Sequence, residues 1–70
     1  MPLSMVREGE KNIVQRVVGR SETKKFLENL GFVVGAAVTV ISEAGGNMIV
    51  SVKESRVAIG RDMANKIMVA

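Results

Sequence analysis

Chemistry at a protein surface needs groups that move protons, attack an electrophile or hold a metal, and this 70-residue sequence offers a narrow set of them. Its titratable side chains are Asp62, six glutamates, five lysines and five arginines, with no histidine and no cysteine. That removes the side chain that titrates near neutrality, the strongest common nucleophile and the two best transition-metal ligands. Carboxylates remain, but the spacings Glu8/Glu10 and Glu43/Glu54 resemble no closed loop of oxygen ligands. Met48, Met63 and Met68 fall inside elements, where a flexible thioether fills gaps in a core. The expectation is a protein with no catalytic residue, no metal ligand and no cofactor, with divalent metal at most weak and adventitious.

Phosphate recognition has no obvious seat either. Neither G-x-x-x-x-G-K-[ST] nor G-x-G-x-x-G occurs, and Gly45-Gly46 lies between two β-branched runs instead of opening a helix. The formal charge of +3 and pI near 9.8 suit weak attraction to polyanions. Phe26 and Phe32 are the only aromatics, however, so a stacking platform for single-stranded nucleic acid is nearly missing. What remains is binding. Arg20, Lys24 and Lys25 cluster at the start of a predicted helix, where they either meet an acidic partner or stay solvated. Phe26, beside Lys25 and Asn29, is either an exposed anchor for a protein partner or a cover for the core edge. Gly45, Gly46 and Asn47 form a loop tip of the kind that carries contacts. Arg20 or Arg61 is a candidate for an arginine supplied in trans to a phosphoryl-transfer site.

The elements that would position these residues are short. Lys11–Val18 is rich in β-branched residues and reads as a strand whose two faces are both mixed. Ser21 is the expected N-cap of a helix over Glu22–Leu30, with Leu27 and Leu30 inward. Gly31 should end that helix, and Phe32 should pack back on its last turn. Val38–Glu43 and Met48–Val52 flank Ala44-Gly45-Gly46-Asn47 and predict a hairpin. A polar turn, Lys53-Glu54-Ser55, leads to a strand Arg56–Ile59, broken by Gly60, then one helical turn within Arg61–Lys66 and a terminal strand Ile67–Val69. The length fits one domain over 1–70, with the composition of a folded chain and no disulfides. No signal-peptide pattern is present, and the apolar stretch Phe32–Ile41 is too short to span a bilayer, so a cytoplasmic location is expected. Five short strands with one inserted helix describe a small barrel.

The order of these parts, with Leu27-Glu28-Asn29-Leu30-Gly31-Phe32-Val33-Val34-Gly35, the Val38-to-Val52 hairpin and the closing Val57-Ala58-Ile59, Ala64 and Ile67-Met68-Val69, resembles the ferrous iron transport protein A (FeoA) family. Leu3 and Gly9 near the start belong to the same pattern. The resemblance implies a mainly β, SH3-like barrel of about five strands, with one inserted α-helix and a short helical turn before the last strand. It also implies an accessory role in bacterial ferrous iron uptake. The implied partner is the cytoplasmic region of the membrane transporter, ferrous iron transport protein B, which carries a GTP-binding domain; the membrane would be met only through that transporter. Homo-oligomers are compatible with such a barrel. Two residues depart from the family pattern: Val34 stands where many relatives have proline, which should loosen a turn, and Gly60 where many have a longer or basic residue. Two alternatives stay open, a small basic barrel that binds nucleic acid and a peptide-binding or dimerisation module like a repressor C-terminal domain.

Overall fold

The computed structural model describes residues 1–70. Five strands, β1 (Lys11–Val17), β2 (Ala37–Ala44), β3 (Asn47–Val52), β4 (Ser55–Gly60) and β5 (Ile67–Val69), form one antiparallel sheet in the order β4-β3-β2-β1-β5. An α-helix, α1 (Ser21–Leu30), is inserted between β1 and β2, and a single turn, α2 (Arg61–Ala64), precedes β5. No helix is long and apolar enough to cross a membrane.

Alternation along the strands dictates the core. Val38 and Val40 of β2 and Met48, Val50 and Val52 of β3 point inward and are buried, together with Val14, Ile59, Ile67 and Val69. Leu27 of α1 and Phe32 just after it close this core and are fully buried. Met48 is fully buried, while Met63 and Met68 are half-buried, Met63 against the core. Burying one such side chain is worth about 1.5–3 kcal/mol, so the small domain depends on each of these contacts.

Several boundaries differ from the sequence-based expectation. Strand β1 carries a bulge between Val14 and Arg16, which breaks the two-residue period: Val14 is buried, Arg16 exposed and Val17 half-buried, so the two mixed faces expected for this strand do not persist along it. Ser21 is the first residue of the helix and not its cap. Arg20 holds the N-cap position in extended conformation, without a side-chain capping bond. Gly60 is the last residue of β4 and the N-cap of α2, and Ser55 already belongs to β4. The polar turn is thus two residues, Lys53 and Glu54, both at positive φ (49° and 66°). That conformation costs a non-glycine residue roughly 1–2 kcal/mol.

The helix end follows the prediction. Gly31 sits at φ 112°, its N–H donates to the Glu28 carbonyl, and the Phe32 N–H reaches back to Leu27 at 3.0 Å. After it, the segment with Val34 is a closed turn: the Ala36 N–H donates to Val33 and the Gly35 N–H to Val14, both at 2.9 Å. A 3₁₀ turn at Leu3–Met5 has no counterpart in the sequence reading. It buries Leu3 and Ser4, and the Ser4 hydroxyl bonds to the Asn65 side chain. The two chain ends run side by side, the Met1 amino group donating to the Val69 carbonyl and the Val69 N–H to Met1.

Candidate functional site

Helix α1 advances 100° per residue, so with Leu27 aimed at the sheet, Phe26 and Glu28 are turned to opposite flanks. Leu30 lies on the Phe26 side, Lys24 on the Glu28 side, and Lys25 and Asn29 on the outer surface. The exposures agree: Phe26 is 51% exposed, and Arg20, Lys24, Lys25 and Asn29 are exposed. The Phe26 ring is thus half open to solvent on the helix flank.

On the other flank, α1 and β1 stand apart enough to leave a cleft of about 210 Å³. Phe32, Val17 and Val33 supply its apolar lining, Arg16 of β1 and Lys24 and Glu28 of α1 its charged rim, and Val34, 75% exposed, its lip. Neither Arg16 nor Lys24 has an ion-pair or side-chain hydrogen-bond partner. Of these seven, Lys24 is the one that the sequence marks as a candidate binding residue. The i, i+4 spacing of Lys24 and Glu28 is readable as a shared helix face. The placement of Arg16 opposite them depends on the β1 bulge, which leaves no mark in the sequence.

The remaining candidates gather at the other end of the sheet. Gly45 and Gly46, at φ 58° and 83°, make the two-residue turn of the β2–β3 hairpin, and Asn47 pairs with Gly60. The Arg61 N–H donates to the Gly46 carbonyl at 3.0 Å, and its guanidinium pairs with Glu43. The Glu43 N–H in turn donates to Glu8 Oε2 at 2.9 Å, and Glu10 Oε1 accepts from the Arg7 N–H. Gly45, Gly46, Asn47 and Arg61 therefore form one knot, from which Arg20, Lys24, Lys25, Phe26 and Asn29 are separate. Arg61, weighed as an arginine supplied in trans, is engaged internally.

The carboxylates disperse. Glu43, on β2 opposite Met48, and Glu54, in the turn after β3, sit toward opposite ends of the β2–β3 pair. No three carboxylates come together as a metal-binding group.

Five antiparallel strands in one sheet with a helix inserted after the first strand make this a mainly β domain of the SH3-like kind. The chain belongs to the FeoA domain family, which matches over residues 1–70. It is 38% identical over 68 residues to a Methanocaldococcus jannaschii protein assigned as an Fe(2+) transport protein A, covering 97% of this chain and 83% of that one. Among solved structures, it superposes with TM-score 0.90 and 36% identity on an iron uptake regulatory protein (FeoA), over 99% of this chain and 92% of that one. It also matches Stenotrophomonas maltophilia FeoA, described as a prokaryotic SH3 domain protein and crystallised with zinc, with TM-score 0.89 and 25% identity over 100% of this chain and 89% of that one. The mainly β, SH3-like fold expected from the sequence is the fold observed.

Proposed function

We propose that this chain is a non-catalytic accessory protein of ferrous iron uptake that works in the cytoplasm, docking on the cytoplasmic region of the GTPase-containing membrane transporter and modulating its activity or assembly. Family membership supports the iron-uptake setting, and the observation that carries the docking reading is Phe26. Half of a large apolar ring faces solvent on a helix whose own burial is already supplied by Leu27. Rigid aromatic side chains supply most of the energy at protein interfaces, and Lys25 and Asn29 nearby provide a polar rim.

The experiment is co-purification of the full chain with the transporter's cytoplasmic region under iron-limited and iron-replete conditions. Association is expected, and Phe26→Ala should weaken it about tenfold, which corresponds to ~1.4 kcal/mol. The circular dichroism spectrum and urea midpoint should stay near those of the parent protein. Absence of any association in both conditions would remove this reading.

A further inference from the structure

We infer that the cleft between β1, α1 and the 32–34 segment is a recognition site for an acidic, aliphatic peptide segment of a partner protein, with one aliphatic side chain in the cleft and a neighbouring carboxylate held by Arg16 and Lys24. This rests on the reading that the chain acts by docking, and names the chemistry of one contact.

The size sets the first constraint. A volume of about 210 Å³ lies below the ~300–1,000 Å³ of pockets that enclose drug-sized ligands, and suits a single branched side chain against the half-buried Val17 and Val33, with the fully buried Phe32 beneath them as the floor. Charge sets the second. Arg16 and Lys24 project from opposite walls, one from the strand and one from the helix, and both lack an internal partner. Glu28 is the only acid on the rim, so the site carries a surplus of one positive charge. An arginine fork meets a carboxylate in two parallel bonds, and a lysine across the cleft adds a point charge. The exposed Val34 at the lip extends the apolar contact to the residue next along an extended peptide. A nucleotide would find no glycine-rich loop on this rim, and the one aromatic there, Phe32, is fully buried.

Because Phe26 is on the far flank of α1, the two contacts can be removed separately. The test is an NMR titration of the ¹⁵N-labelled full chain with acetyl-Ser-Asp-Leu-Glu-Ser-amide and with its basic counterpart, acetyl-Ser-Lys-Leu-Lys-Ser-amide. The acidic probe should shift the amides of Val17, Glu28, Val33 and Val34, and bind at least tenfold more tightly than the basic one. The double variant Arg16→Glu/Lys24→Glu, at exposed positions, should reverse that preference while its spectrum remains folded. Shifts confined to other surfaces, no shift at millimolar acidic probe, or an unchanged preference in the double variant would overturn the inference. If the double variant still co-purifies with the transporter while the acidic probe shifts nothing, the cleft proposal fails and the docking reading stands. If the probe binds as expected and the parent chain never associates with the transporter, the reverse holds.

Discussion

The flanks of α1 and the β2–β3 hairpin end contain similar residues, with basic, apolar and small polar side chains at each, but they use them differently. At the hairpin end, Arg61 is taken by Glu43 and Gly46, Glu43 by Glu8, and Asn47 by the strand ladder. Around α1, Arg16, Lys24 and Phe26 have no such engagement. A side chain already satisfied within the fold must give up its partner before it can bind another molecule, whereas an unsatisfied one loses only its water. The same residue type therefore carries different functional weight at the two ends.

That contrast makes the α1 region depend on a few apolar contacts and the hairpin end on many small polar ones, and substitutions can break either half of the claim. Leu27→Ala should cost ~2–5 kcal/mol, because a fully buried side chain leaves a cavity; Phe26→Ala, one residue away, should change stability by less than ~1 kcal/mol. Comparable urea midpoints for the two variants would erase the distinction between them. Gly31→Ala should cost ~1–2 kcal/mol from its left-handed backbone alone, since the added Cβ would meet the Val52 and Lys53 side chains at 3.4 Å, an ordinary contact. A smaller loss in thermal unfolding would mean that the helix end is less tightly placed than described. The double change Lys53→Asn/Glu54→Gly runs the other way, since it gives a turn with both φ positive the residues that adopt it cheaply. A gain of about 1 kcal/mol is expected, and an unchanged unfolding free energy would show the turn to be unstrained. The smallest effect belongs to the hairpin end: Glu43→Gln should cost ~0.2–1 kcal/mol at low salt and less at high salt, as a solvent-exposed ion pair does. A salt-independent loss of several kcal/mol there would mean that the knot is a structural centre.

How much was legible in the sequence follows the range of the forces involved. The hairpin of Gly45-Gly46 and the helix end at Gly31 were readable because glycine is the residue for which positive φ is cheap, and each sits between patterned runs. The Lys53-Glu54 turn takes the same backbone region with residues that do not advertise it, so the sequence predicts a turn one residue too long. Ser21 looked like a cap by residue type, yet the chain enters the helix one residue earlier and leaves the hydroxyl uncommitted. The candidate residues on the helix were found from spacing alone. Their division into two flanks and a separate hairpin knot was not, because Arg16 reaches the cleft through a bulge, and Arg61 reaches Glu43 through strand register. Both are long-range facts.

The pairing of Met1 with Val69 has an engineering consequence. A short glycine linker from Ala70 back to Met1 would close the backbone into a loop without moving either end. Reopening it between Gly45 and Gly46 would then give a permuted chain that starts in the middle of the natural order and keeps both flanks of α1 intact. Loss of folding in that permutant would show that the fold needs an unbroken hairpin, and retention would offer the new ends at the hairpin tip for labels.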